Sequence, residues 1–200
     1  MNVLTFESRE DWLDGRRGKI TGTRVKDLMS ANGKKKAAFY ELIAERIAVP
    51  ADDENPMDRG ARLEEEALAE FEKATGKKLD RSLVIWTRDD NENIALSPDA
   101  SVIGEPAAVE SKCLSSAKHV ETFITQRVPS EYEGQIGQYF VVNDELQTVY
   151  MAFYDPRVTV KPFFYLTITR DEVQEDVETY LAFERKTLEE VSEAVLEISF

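Results

Sequence analysis

The hydrophobic pattern of this chain changes character at Leu83, and this change restricts the possible folds more than any other feature. Before it, residues 35–48 and 57–75 carry apolar side chains at about helical spacing, which predicts two long helices. After it, 83–97 contains two β-branched and aromatic runs separated by a polar turn, which predicts strands. The chain must therefore fold around both helices and a sheet.

The rest of the chain continues this mixture. Further strands are predicted at 107–112, 146–154 and 163–169, and helices at 8–15, shortly after Thr21, at 116–126, at 131–142 and from Asp171 onward. We expect an α/β fold in which a central mixed sheet is flanked by helices, and one domain that covers residues 1–200. The last helix has an apolar stripe that we interpret as a face packed on the core, rather than a seam for a partner: Val173, Val177, Tyr180, Leu181, Leu188, Val191, Val195 and Ile198.

Composition limits the chemistry that this chain can perform. Cys113 is the only cysteine and His119 the only histidine, which excludes an intrachain disulfide and most Cys- or His-based metal sites. We expect structural roles for both. Hydrolysis would have to use carboxylates, whose oxygens favour hard ions such as Mg²⁺ or Mn²⁺. No signal-like N-terminus and no long apolar run is present, so we expect a cytoplasmic protein with no membrane partner.

Two acids and a lysine form the strongest candidate for a chemical site. Asp99 follows Ser97-Pro98, and about ten residues later Glu110 and Lys112 lie in one predicted strand with Ser111 between them. Residues two apart in a strand share a face, so Glu110 and Lys112 are expected to lie side by side. This pattern is the PD-(D/E)xK motif, and divalent ions held by such acids can cleave a phosphodiester. A Pro-Asp turn with a surface Glu–Lys pair would give the same string.

Further pieces, in order along the chain, give the sequence a family resemblance. They are Trp12-Leu13-Asp14-Gly15-Arg16, Ile20-Thr21-Gly22-Thr23, Gly60-Ala61-Arg62-Leu63-Glu64, Ser97-Pro98-Asp99, Glu110-Ser111-Lys112, Tyr132-Glu133-Gly134-Gln135 and Tyr154-Asp155-Pro156-Arg157. With these, the sequence resembles the phage lambda exonuclease family, also described as YqaJ-type viral recombinases or alkaline exonucleases. It departs from the family at Ala100, where Gly is usual, and at Thr23, where Ser is common.

The resemblance implies a fold, an activity and partners. The fold would be a restriction-endonuclease-like core. The activity would be magnesium-dependent digestion of one strand of linear double-stranded DNA from its 5′ end to mononucleotides, with two ions bound and Mn²⁺ able to substitute. The partners would be double-stranded DNA ends, two further copies in a homotrimeric ring, and a single-strand annealing protein used in recombination. The setting would be a bacterial or phage-infected cytoplasm.

The resemblance also assigns roles to individual residues. Asp99, Glu110, the carbonyl of Ser111 and Glu64 would hold the metal ions. Lys112 would orient or activate the attacking water, with Gln135 and Tyr132 steadying it. Arg16 would grip the 5′-phosphate, with Thr23 nearby as a hydroxyl donor and Arg17 as a neighbouring candidate. The alternatives are a solvated acidic run around Glu64 and an exposed Arg16 that attracts DNA only in general.

Two other functions remain compatible with the sequence. A restriction-type or repair endonuclease could use the same core, because the motif does not determine whether a cut is internal or terminal. A non-catalytic acidic binding module is also possible, because the formal charge of −14 is unusual for a protein that binds phosphates. An acidic exterior around a basic channel would reconcile this charge with a DNA substrate.

Overall fold

Helices pack on both faces of a central sheet in the computed structural model, which describes residues 6–21, 24, 27–28, 35–50 and 55–199. The helices are α1 (Arg9–Asp14), α2 (Ala37–Ile47), α3 (Pro56–Thr75), α4 (Ser116–Thr125), α5 (Glu133–Val142) and α6 (Arg170–Ser199), with a 3-10 turn at Ser130–Tyr132. The strands are β1 (Leu79–Asp80), β2 (Trp86–Arg88), β3 (Asn91–Leu96), β4 (Ala100–Val102), β5 (Ala107–Lys112), β6 (Thr148–Tyr154) and β7 (Phe163–Thr169).

The central sheet is mixed, as predicted. Its order is β1-β4-β5-β6-β7, whereas β2 and β3 form a separate two-stranded sheet. Strands β5 and β6 are parallel, and the other neighbours in the central sheet are antiparallel. Helices α4 and α5 lie between β5 and β6 in the chain, since a parallel pair needs a long crossover connection.

Strand β5 lies in the middle of the sheet and is covered on both faces. Val109 packs with Leu68 and Phe71 of α3, while Ala108 belongs to the cluster that contains Tyr139 of α5. Because side chains alternate along a strand, Glu110 lies on the same face as Ala108. The fold therefore places the acid of the motif beneath α5, in the interior of the protein.

The predicted hairpin and Asp99 are arranged differently from the sequence prediction. The first strand of the hairpin, β2, was predicted to begin at Leu83 but begins at Trp86, and Leu83 itself is fully exposed. Asp99 does not end strand β3; it leads directly into β4, which pairs with β5. A three-residue strand is too short to show alternation, so β4 left no readable signal in the sequence.

Two predicted helix starts can be compared with the structure. The start of α1 is confirmed, because the Ser8 hydroxyl oxygen accepts a hydrogen bond from the Asp11 backbone N–H at 3.0 Å. The helix predicted from residue 131 begins as the 3-10 turn, and α5 proper starts at Glu133. The short helix predicted after Thr21 falls mainly outside the described residues.

The apolar stripe of α6 packs on the core over only part of its length. Val177 is buried, and the side chains that pack beside it are Val173, Tyr180, Leu181 and Leu188. Val191, Val195 and Ile198 are exposed by 51%, 56% and 86%, so the core-packing interpretation is wrong for the end of the helix. Leu188 is the last residue of this 30-residue helix that packs on the cluster. In the part of the chain that is described, no helix has the length and apolarity needed to cross a membrane.

A buried carboxylate, Asp155, joins three parts of the fold: the turn after β6, α3 and the start of α4. It is fully buried, and it accepts hydrogen bonds from the Arg59 guanidinium at 2.7 Å, the Ser116 hydroxyl at 2.7 Å and the Arg157 Nε at 2.9 Å. Burial alone would raise the pKa of Asp155, but the bonds from Arg157 and Ser116 outweigh it and hold the pKa below its ordinary value. The carboxylate is therefore charged and fully paired.

Arg59 connects this cluster to the strand that carries the motif. Its guanidinium also donates to the carbonyl oxygens of Cys113 and Leu114, at 3.2 Å and 3.1 Å, directly after β5 ends. Arg59 lies in α3, five residues before Glu64. The cluster thus fixes the start of α3 against the end of β5.

We expect Asp155→Ala to lower the free energy of unfolding by about 3–5 kcal/mol, because it leaves the buried Arg59 and the half-buried Arg157 guanidinium groups without their anion. Urea denaturation measures this change. Glu131→Ala, which breaks an exposed pair with Lys118, is the matched control and should cost no more than about 1 kcal/mol. Equal losses in the two variants would contradict the anchoring role.

The same carboxylate should make stability depend on acid. Because the folded pKa of Asp155 is lowered, its contribution is present above the ordinary pKa of aspartate and is lost as pH falls through the lowered value. Urea midpoints of the wild type and Asp155→Ala should therefore converge as the pH is lowered toward that range. A constant difference down to strongly acid pH would show that Asp155 is not the group responsible.

Candidate active site

Asp99 is held at the start of β4 by the neighbouring strand β5. One oxygen of its carboxylate, Oδ2, accepts hydrogen bonds from the Ser111 backbone N–H at 2.7 Å and from the Ser111 hydroxyl at 2.9 Å. Ala100, which follows it, pairs with Val109 and is buried. Ala100 does not have a positive φ, so its replacement of the family's usual glycine is compatible with this turn.

Glu110 lies almost fully buried in the next strand, with only 2% of its surface exposed. Its Oε1 accepts from the Lys112 ammonium at 2.5 Å and from the Gln135 amide at 2.6 Å, and its Oε2 accepts from the Tyr139 hydroxyl at 2.5 Å. Burial and the nearby Asp99 carboxylate raise the pKa of Glu110 despite these donors.

Lys112 lies between the acid and an aromatic ring. Its ammonium nitrogen is 4.9 Å from the centre of the Tyr132 ring, while it donates to Glu110. The structure therefore brings Tyr132 and Gln135 to the same centre, but their contacts differ. Tyr132 contacts the lysine, whereas Gln135 binds the Glu110 carboxylate rather than the lysine.

Glu64 approaches this centre from α3. It is half-buried, and burial, followed by the charges of Asp99 and Glu110, raises its pKa. Its neighbours face elsewhere: Glu65 pairs with Arg81 at 2.7 Å, and Glu66 accepts from the Tyr154 hydroxyl at 3.0 Å. Of the three adjacent acids, Glu65 and Glu66 are bound to these other partners, whereas the charges of both motif carboxylates act on Glu64.

These carboxylates are suited to a hard divalent ion by their chemistry. Glu64, Asp99 and Glu110 offer only oxygen donors. Burial and, after it, the charges of neighbouring carboxylates raise the pKa values of Glu64 and Glu110, and a cation would relieve both effects. Within the described ranges, no three acid, histidine or cysteine side chains already stand as a formed ligand set. Glu110 would have to exchange at least part of its hydrogen bonding with Lys112 for an ion.

The two arginines predicted to bind the 5′-phosphate lie outside this centre. The Arg16 guanidinium stacks over the Trp12 ring, 4.4 Å from its centre, and Arg17 forms a 3.6 Å ion pair with Asp14. Both arginines are half-buried in the turn after α1. Thr23 lies outside the described residues.

Sequence reasoning missed one residue of the centre, Tyr139, and the structural use of Asp155. Tyr139 is four residues after Gln135, on the same helix face, so helical spacing from the Tyr132–Gln135 piece could have found it. Asp155 was recognised only as part of a resemblance. Its task as an anchor depends on contacts with distant residues.

The lone histidine and cysteine have the structural positions expected for them. His119 is buried, with Nε2 at 2.9 Å from the Lys161 carbonyl oxygen and its ring edge-on to Phe164. Burial lowers the pKa of His119, so its imidazole stays neutral. Burial raises the pKa of Cys113 to about 11, which keeps its thiol protonated.

A mixed sheet that carries an acid beside β4 and an acid–lysine pair on β5, enclosed by helices, defines an α/β protein with a restriction-endonuclease-like core. The model of the YqaJ-like viral recombinase domain matches residues 11–145. The chain belongs to this family, and the resemblance seen in the sequence is confirmed.

Individual relatives agree with this assignment. The chain is similar to "Uncharacterized protein YqaJ" of Bacillus subtilis (strain 168), with 28% identity over 148 residues, which is 72% of this chain and 46% of that protein. The chain thus spans about half the length of this relative. An alkaline exonuclease (LHK-Exo) from Laribacter hongkongensis has a similar structure, with TM-score 0.63 and 26% identity over 95% of this chain and 97% of that one. LHK-Exo in complex with dAMP gives TM-score 0.62 and 27% identity, over 95% and 98% of the two chains.

We expect divalent ions to stabilise this protein more at high pH than at low pH. The raised pKa values of Glu64 and Glu110 mean that their contribution to metal-free stability is lost as pH rises through those values, whereas an ion binds the deprotonated oxygens. Thermal unfolding with and without Ca²⁺, from pH about 5 to about 8, measures the effect. A gain in Tm that does not change with pH, or that persists in Asp99→Ala, would contradict it.

Proposed function

We propose that this chain is a magnesium-dependent 5′-to-3′ exonuclease that digests one strand of linear double-stranded DNA to mononucleotides. One observation carries this proposal: Asp99 is hydrogen-bonded to Ser111, and Glu110 to Lys112, at adjacent strands. Glu64 is close enough for the charges of both acids to act on it. Acids that hold divalent ions can supply the polarised phosphate and the activated water that phosphodiester hydrolysis needs, and a lysine beside them can orient that water.

Each residue has a task that its position permits. Asp99, Glu110, the Ser111 carbonyl and Glu64 would hold two Mg²⁺ ions, or Mn²⁺ in their place. When bound, such ions polarise the phosphate and lower the pKa of a water molecule. Lys112 orients the attacking water once its ammonium is released from Glu110, and Tyr132 limits how far the ammonium moves. Gln135 keeps a donor on the Glu110 carboxylate.

The comparisons support DNA as the substrate. LHK-Exo is an alkaline exonuclease, and dAMP, with which it forms a complex, is a deoxynucleoside monophosphate. An exonuclease that removes one nucleotide at a time releases mononucleotides of this kind. We extend the same reaction to this chain, as one nuclease domain working in the cytoplasm of a bacterium or a phage-infected host.

The assembly that we propose follows the family. Three copies would form a ring around the DNA, and a single-strand annealing protein would bind the strand that the enzyme exposes, for recombination. A ring also suits the net charge of −14, because acidic residues on its outside can coexist with a channel lined by cations. Sedimentation of the purified chain with and without linear duplex tests the ring.

We expect Asp99→Ala and Glu110→Ala to abolish cleavage while the fold persists, because each removes a charged ligand from the site. End-labelled linear duplex, incubated with and without Mg²⁺, shows both the loss and the length and polarity of the wild-type products. Glu64→Ala should be severely impaired. Glu65→Ala and Glu66→Ala are matched controls, since these acids bind Arg81 and Tyr154, and both should cut nearly normally. The reverse ranking would exclude Glu64 from the site.

We expect the enzyme to prefer a 5′-phosphate, and Arg16→Ala to reduce this preference by slowing the phosphorylated substrate. A guanidinium binds a terminal phosphate through paired charge-assisted hydrogen bonds, which a 5′-hydroxyl cannot accept as an anion. Matched duplexes that differ only at the 5′ group measure the ratio of rates.

Two controls make this test specific. Arg17→Ala, which removes the partner of Asp14, should leave the preference intact. Covalently closed plasmid should remain uncut, because it offers no end; cleavage of closed plasmid would favour an endonuclease instead. An unchanged preference in Arg16→Ala would remove Arg16 from the phosphate site.

A further inference from the structure

Tyr139 places a polar group inside the largest core cluster of the protein. The residue is fully buried, and its ring packs edge-on against Trp86 with the ring centres 6.2 Å apart. Phenylalanine would fill this space equally well, so packing alone does not require the hydroxyl. A buried hydroxyl must have a hydrogen-bond partner, and here it donates to Glu110 Oε2 at 2.5 Å.

The two oxygens of Glu110 have different partners. Oε1 accepts from Lys112 and Gln135, whose side chains are both partly exposed. The bond described for Oε2 comes from Tyr139, which is held rigidly by the core. A carboxylate that accepts hydrogen bonds at both oxygens cannot rotate freely about its Cγ–Cδ bond. Because Tyr139 is the rigid donor, its hydroxyl fixes the plane of the Glu110 carboxylate.

Tyr139 lies on the helix face that meets the centre. Gln135 is four residues before it on α5, and Tyr132 ends the 3-10 turn that precedes this helix. Gln135 donates to one oxygen of Glu110 and Tyr139 to the other, so a single face of α5 holds both oxygens of this carboxylate.

We propose that Tyr139 is a positioning residue whose buried hydroxyl, hydrogen-bonded to Oε2 of Glu110, fixes this carboxylate in the geometry that binds the divalent ion. This proposal rests on the metal-dependent nuclease function proposed above. It adds a requirement that the acid–lysine motif does not contain. The groups that support metal ligands set both the affinity for the ion and the activity.

The test is Tyr139→Phe, which removes one oxygen atom and keeps the ring. Calorimetric titration with Ca²⁺ should show binding weakened by about 10–100-fold, and kcat on linear duplex with Mg²⁺ should fall by a similar factor. KM for DNA should remain close to the wild-type value, because the phenol lies beneath the site and contacts no substrate. Wild-type Ca²⁺ affinity and wild-type kcat in this variant would overturn the proposal.

Two controls separate positioning from stability. Tyr150→Phe removes a phenol oxygen from β6 on the opposite face of the sheet, where the ring packs on Phe71, and should leave Ca²⁺ binding unchanged. Val177→Ala weakens the same core cluster as Tyr139 without touching the phenol. It should lower the urea midpoint and leave Ca²⁺ affinity unchanged. If Val177→Ala weakened Ca²⁺ binding as much as Tyr139→Phe, loss of stability would explain both results and the proposal would fall.

The wild-type protein distinguishes the two proposals. If it binds Ca²⁺ through Asp99 and cuts DNA while Tyr139→Phe behaves identically, the positioning role fails and the nuclease function stands. If the wild type neither binds Ca²⁺ nor cuts DNA, both proposals fail together.

Discussion

The hydrogen-bonded cluster around Asp155 is the interaction on which the geometry of the site depends. A fully buried carboxylate is tolerated only when its charge is met by cations and donors. Arg59 of α3 and Ser116 of α4 supply them from two other segments, and Arg157 from the same turn. Because Arg59 also binds the carbonyls after β5, the helix that carries Glu64 has one position relative to that strand. The Asp155 cluster therefore fixes the position of Glu64 relative to the acids on the neighbouring strands.

The candidate site uses a second buried carboxylate in the opposite way. Asp155 is surrounded by guanidinium groups and keeps a lowered pKa, whereas Glu110 lies beside Asp99 and has a raised one. The first arrangement is complete without an ion. The second has excess negative charge that Lys112 offsets only in part, which is the electrostatic condition under which a divalent cation binds strongly.

Overall charge and local chemistry have to be considered separately in this protein. A net charge of −14 would argue against DNA if affinity came from the whole surface. Many of the acids, however, lie on exposed faces such as that of α6, while the site is defined by a few groups inside the fold. Family membership and the similarity to LHK-Exo are consistent with this view.

The sequence by itself determined the class of fold and the motif, because helical and strand periods and the spacing of Glu110 and Lys112 are local properties. The tertiary structure alone decided which residues support the site. Strand β4, which Asp99 leads into, is too short to show a period, and the end of α6 has a core-like stripe but is exposed. Tyr139 and Asp155 act through residues 29 and 96 positions away in the chain, Glu110 and Arg59, and contacts at such separations exist only after folding.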